Sequence, residues 1–132
     1  MSVTPLSTSA ASGRILIVDD ESTIRSAGAS VLQHLGYTVD TAENGKRCLE
    51  MIEEKAGAYD AVLLDLAMPV LDGTATLKVI RDKHPALPVL LMSGYLSERL
   101  DHLLQEGSPT AVIQKPFSLT DLSEGLAKLL KL

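Results

Sequence analysis

Between Arg14 and Lys131, short runs of Leu, Ile and Val alternate with longer stretches in which apolar residues recur three and four positions apart. A short apolar run suits a buried strand, and the three-four spacing suits one face of a helix. The alternation therefore predicts repeated βα units around a parallel sheet. The predicted strands are Arg14–Val18, Tyr37–Thr41, Asp60–Leu64, Pro88–Met92 and Thr110–Ile113. The first, third and fourth are apolar throughout, as strands covered on both faces are, whereas "YTVDT" alternates and suits an edge.

The predicted helices fill the intervals: Ser22–Leu35, Asn44–Lys55, Gly73–Lys83, Ser97–Gln105 and Leu119–Leu130. Gly36 and Gly107 stand where a helix end takes a left-handed residue. "SLTD" opens the last helix as a capping box, with Ser118 bonding free N–H groups and Asp121 answering from the third position. Leu119, Leu122, Leu126, Leu129 and Leu130 then make one apolar stripe. Met1–Gly13 is small, polar and Ser/Thr-rich, which predicts a flexible leader or linker ahead of one domain over residues 14–132.

Composition narrows the function without naming it. A chain of 132 residues, 45% hydrophobic and 22% charged, fits one globular domain and leaves no room for a second. Its net charge is -5 and its twelve basic residues are scattered, which argues against a nucleic-acid partner or an anionic membrane surface. No apolar run approaches the roughly 18 residues that span a bilayer, and the N-terminus lacks the order of a signal peptide. The expected location is cytoplasmic. The lone Cys48 lies in a helical pattern and reads as a structural thiol.

The chemistry enters at the strand ends. "AVLLDLAMPV" carries a carboxylate, Asp65, at the end of an apolar run, and a buried ionised Asp needs a positive partner. In an open parallel sheet, ligands sit outside the carboxyl ends of the strands. There the first strand gives Asp19, Asp20 and Glu21, the third Asp65, the fourth Ser93 and Gly94, and the fifth Lys115. Carboxylates brought together repel one another, and a hard divalent cation resolves the conflict. Oxygen ligands without His or thiolate specify Mg²⁺ rather than a dedicated Ca²⁺ cage. The first βα loop has acids where a nucleotide-binding loop would have glycines. A metal on Asp19 and Asp20, with Lys115, Ser93 and free amides after Asp65 and Ser93, would hold a phosphoryl group around Asp65. That carboxylate can attack phosphorus to give an aspartyl phosphate.

The motifs "ILIVDDE", "LLDLAMPVLDG", "LMSGY" and "KPF", in this order, resemble the receiver domains of two-component response regulators. The resemblance covers nearly all of Arg14–Lys131. It implies a flavodoxin-like, doubly wound α/β fold of five parallel strands in the order 2-1-3-4-5 with five helices. It also implies phosphotransfer from a histidine kinase or histidine phosphotransfer protein. By the same resemblance Asp65 is the phosphoacceptor, Asp19 and Asp20 are metal-site acids, and Ala67 supplies a backbone carbonyl to Mg²⁺. Ser93 and Lys115 become phosphoryl-contacting switch residues. A cis peptide between Lys115 and Pro116, and a homodimer surface built from the fourth and fifth helices and the strand between them, also belong to what the family implies. The sequence departs from the family at Val112, where Tyr or Phe is usual, and at Ser93, where Thr is commoner. Ala67 and Tyr95 fall at positions that influence phosphoryl lifetime.

On this reading the chain is a signalling phosphoacceptor and not a turnover enzyme, and its output is a contact with a downstream protein or with another domain of a longer parent chain. It resembles either a free-standing regulator or the receiver end of a hybrid kinase. Two other classes compete. A haloacid-dehalogenase-like phosphatase also forms an aspartyl phosphate on Mg²⁺, but it places a general-acid Asp where this chain has Ala67. A degenerate receiver used only for binding would not need the intact set of Asp20, Asp65, Ser93 and Lys115. The remaining polar and sulfur residues read as structure: His34, His84 and His102 as surface or dipole-favoured groups, Met68 and Met92 as core, and Asp72–Gly73 as a turn that starts a helix.

Overall fold

The computed structural model describes residues 13–55, 57–68, 72–94 and 109–130. Five strands, β1 (Arg14–Val18), β2 (Thr38–Ala42), β3 (Ala61–Asp65), β4 (Val89–Ser93) and β5 (Thr110–Gln114), form one sheet in the order β2-β1-β3-β4-β5. Every pairing is parallel. Four helices are described: α1 (Ser22–His34), α2 (Gly45–Glu54), α3 (Gly73–Lys83) and α4 (Leu119–Leu130). The expected Ser97–Gln105 helix, and with it Tyr95, His102 and Gly107, lies outside the described residues.

Strand residues alternate between two cores, as the period-two geometry of a pleated strand requires. Leu16, Val18, Val62, Leu64, Val89 and Leu91 face Cys48 and Ile52 of α2 and Leu77 and Ile80 of α3. Ile15, Ile17, Leu63, Leu90 and Met92 face Leu32 of α1 and Leu122 and Leu126 of α4. Each fully buried Leu or Ile contributes about 2 kcal/mol. β2 is the edge its alternation predicts, while β1, β3 and β4 are buried almost throughout. Met68 and Met92 are core residues, and burial pushes the Cys48 thiol up to about 12, so it stays protonated. Leu119 departs from its stripe: it sits in the first turn of α4, 50% exposed, ahead of the residues that reach the sheet.

The helix stops and starts follow the local chemistry. Gly36 takes φ 108° after α1. Ser118 Oγ accepts the Asp121 N–H at 3.0 Å while the Asp121 carboxylate accepts the Ser118 N–H at 3.0 Å, the expected reciprocal cap. Asn44 and Asp72 cap α2 and α3 through the N–H groups of Arg47 and Ala75.

Strand limits differ from the hydrophobic runs by one residue. β2, β3 and β4 begin and end one position later than expected, and β5 ends one later. Hydrogen bonding sets these ends: Pro88 has no N–H to donate, and the ladder continues past the apolar residues to pair Asp65 with Met92 and Ser93 with Gln114. Asp65 and Ser93 are thus strand residues, paired within the ladder.

Candidate functional site

The sheet reverses its winding between β1 and β3, and the carboxyl ends of those two strands bring the acids together. Asp19 follows β1 and is fully buried, and Asp65 closes β3 at 3% exposure. Asp20 stands at the exposed rim. One oxygen from each of the three carboxylates lies within 4.8 Å of the others. Asp65 is thus the last buried residue of its strand, followed by half-buried Leu66 and exposed Ala67.

The positive partner is Lys115, immediately after β5. Its Nζ lies 2.7 Å from Asp19 Oδ2 and 3.3 Å from Asp65 Oδ1. The Lys115 backbone N–H donates to the Ser93 carbonyl at 2.7 Å, which ties the start of this loop to the end of β4. The Lys115–Pro116 peptide is cis, in agreement with the family resemblance. Ser93 is buried beside this bond, and a Cβ added to Gly94 would meet no atom of the described residues within 4 Å. The Ala67 N–H donates to Asp65 Oδ1 at 3.3 Å, so Lys115 and Ala67 hold the same carboxylate oxygen.

Charge in the pocket is unbalanced. Three carboxylates against one ammonium leave it two charges negative. Desolvation, and then the charge of Asp19, hold Asp65 above the usual carboxylate range, against the opposing pull of Lys115 and the Ala67 amide. Burial alone would lower Lys115, yet its close contact with the Asp19 carboxylate and the charges of Asp65 and Asp19 together raise it. Asp19 Oδ2 is buried with the ammonium nearby but no aligned hydrogen bond. These features fit a hard divalent cation. The donors are all oxygen, their 4.8 Å spread is close to twice an Mg–O distance of about 2.1 Å, and one buried lone-pair site is left over.

Two residues that sequence reasoning did not assign to the site support it. A Cβ on Gly73 would overlap the Asp65 carbonyl oxygen and the Leu66 Cα. The Gly73 N–H also donates to the Leu66 carbonyl at 3.1 Å, so α3 starts in direct contact with the backbone that carries the acid. The only sequence signal was the "DG" pair, which reads equally well as a turn. Arg25, in the second turn of α1, donates from Nη1 to the Asp19 carbonyl at 2.8 Å. Its place relative to "DDE" gave no reason to look there.

A buried acid pair with a lysine stands at the switch point of this 2-1-3-4-5 sheet, where a dinucleotide-binding fold carries a glycine-rich loop. A family model for the response regulator receiver domain matches residues 15–127, and the chain belongs to that family. It is 36% identical over 120 residues to the sensor kinase CckA of Brucella abortus (strain 2308), covering 91% of this chain and 13% of that protein's length. Among solved structures, Vibrio cholerae chemotaxis protein CheY4 superposes with a TM-score of 0.81 at 28% identity, covering 90% of this chain and 99% of that one. The response regulator TrrA of Thermotoga maritima, in complex with Mg²⁺-BeF, gives 0.75 at 36% identity, covering 89% and 98%. No helix among the described residues is long and apolar enough to cross a membrane.

Proposed function

We propose that Asp65 accepts a phosphoryl group from a phosphohistidine of a histidine kinase or histidine phosphotransfer protein, and that the domain works as a conformational switch in the cytoplasm. The observation that carries this reading is the Asp65 carboxylate itself, buried at the end of β3 with Oδ1 tied to Lys115 and the Ala67 amide. Those contacts leave Oδ2 to attack phosphorus. As the new P–O bond forms the P–N bond to the donor imidazole breaks, and the imidazole leaves with its electron pair and takes up a proton. Lys115 and the Ser93 hydroxyl receive the phosphoryl oxygens, and Gly94 puts no side chain in their way. Asp19, Asp20, Asp65 and the Ala67 backbone carbonyl would hold Mg²⁺, which when bound neutralises charge on the carboxylates and the incoming phosphoryl group.

The chemistry ends with uptake and loss of phosphate. Ala67 carries no carboxyl to serve as the general acid of a dehalogenase-like phosphatase. The output is a contact with a downstream protein or with another domain of a longer parent chain, and the similarity to a sensor kinase favours the receiver end of a hybrid kinase. A homodimer through β5, α4 and the segment before β5 would belong to the same switch. Val112, half-buried against the α2–α3 core, offers no ring for the usual aromatic readout, so the signal passes through backbone movement of β5.

Intact-mass spectrometry after incubation with Mg²⁺ and acetyl phosphate tests the acceptor. Wild type is expected to gain one phosphoryl mass and Asp65→Ala none. Equal gain in both would place the phosphate elsewhere and overturn the assignment.

A further inference from the structure

Asp19 is fixed at every polar atom of its backbone. Its N–H donates to the Ala42 carbonyl at 3.2 Å, and its carbonyl accepts Arg25 Nη1 at 2.8 Å. Its side-chain Oδ1 accepts the Glu21 N–H at 2.9 Å, which folds the loop back on itself and leaves Oδ2 pointing at Lys115. Of these restraints, the Arg25 bond is the one supplied by a side chain from another element. α1 begins without a side-chain cap at Glu21. The guanidinium reaching back from the helix takes none of the free N–H groups a cap would accept, but it ties the helix start to the β1–α1 loop. That loop carries two of the three acids.

We infer that Arg25 is a positioning residue for the acidic site, holding the Asp19 carbonyl so that the Asp19 and Asp20 carboxylates stay in a cation-binding arrangement. The inference rests on the reading of these acids as the Mg²⁺ site. It carries a sign that electrostatics alone would reverse. A guanidinium near a cation site repels the cation, so removing it would tighten Mg²⁺ binding if charge were its whole effect. A residue that orients ligands from behind gives the opposite result, and loss of such a partner typically costs ten to a hundredfold in metal affinity.

The test is an amide NMR titration of the whole chain with MgCl₂ at constant ionic strength, with thermal melting of each protein alongside. Arg25→Met keeps the aliphatic stem and loses the donor; Arg25→Gln loses the charge and keeps a donor. The expected result is an Mg²⁺ dissociation constant about tenfold higher in Arg25→Met, with substantial recovery in Arg25→Gln, both proteins melting as cooperatively as wild type. Unchanged or tighter binding in Arg25→Met would overturn the inference, as would equal weakening in the two variants. A wild-type chain with no saturable response to MgCl₂ would instead overturn the metal-site reading beneath it, so the two failures are distinguishable.

Discussion

The two ends of the sheet handle charge in opposite ways. At the amino end of the strands, Asp40 of β2 accepts the Tyr59 hydroxyl at 2.7 Å and Arg14 Nη1 at 3.1 Å, with Lys55 Nζ at 3.6 Å. Toward the opposite edge of the sheet, Arg81 of α3 donates to the Leu87 carbonyl at 2.8 Å, the Pro109 carbonyl at 3.0 Å and the Thr110 hydroxyl at 2.6 Å, fastening the α3–β4 loop to the start of β5. Each group there meets its complement. At the carboxyl end, three acids face one ammonium, and a buried oxygen lacks an aligned hydrogen bond. The same sheet thus has one end satisfied within the chain and another left to be completed by a ligand. Unfavourable charge survives in a fold of marginal stability only where other parts offset it.

Substitutions can break this contrast. The largest effect is expected at Gly73, where any Cβ meets backbone rather than a movable side chain. Gly73→Ala should cost about 3 kcal/mol in chemical denaturation and abolish phosphoryl uptake in the acetyl phosphate assay, because the strain falls on the Asp65 carbonyl. Arg81→Met at the opposite end should cost about 2 kcal/mol by leaving carbonyls in the α3–β4 loop without donors. Phosphoryl uptake should survive it. If Arg81→Met abolished uptake in a protein that still folds, the two ends would not be independent.

The sequence carried the architecture well because its signals are local and repeated. Apolar runs in "RILIV" and "DAVLL" locate strands by hydrophobicity alone, and the "SLTD" cap and Gly36 mark helix limits by chemistry confined to a few residues. Strand ends were less legible, since the partner's hydrogen bonds decide whether Asp65 and Ser93 belong to the ladder. The acidic residues and Lys115 could be proposed as a group because each follows a strand of the same sheet, and topology then brings them to one edge. Gly73 and Arg25 escaped notice for the converse reason. Their roles depend on close approach to the Asp65 and Asp19 backbones: the glycine of "DG" serves a turn equally well, and an Arg inside a helix does not say which carbonyl it will reach. The Arg81 clamp escaped for the same cause.

One change of charge, made at each end, sharpens the comparison and gives the smaller effects. Asp65→Asn removes a carboxylate that desolvation and Asp19 disfavour, so in chelator the variant should be more stable than wild type by about 1 kcal/mol in urea denaturation. Asp40→Asn should be less stable by a similar amount, since it weakens an ion pair and a hydrogen bond at a site whose side chain is only 21% exposed. The Asp40→Asn loss also has a defined pH dependence. Burial alone would raise the Asp40 carboxyl, but the hydrogen bonds from Tyr59 and Arg14 and the charges of Lys55 and Arg14 outweigh it and hold it below the usual range. A lowered folded value means that the unfolded chain binds the proton first as pH falls. The Asp40 contribution is therefore fully present above the unfolded value of about 3.9 and disappears as pH drops through the lower, folded one. The stability difference between wild type and Asp40→Asn should be constant from neutral pH to about 5 and shrink toward zero in stronger acid. A difference that instead grew on acidification would mean that Asp40 is not held by its cations, and the amino end of the sheet would lose its standing as the satisfied one.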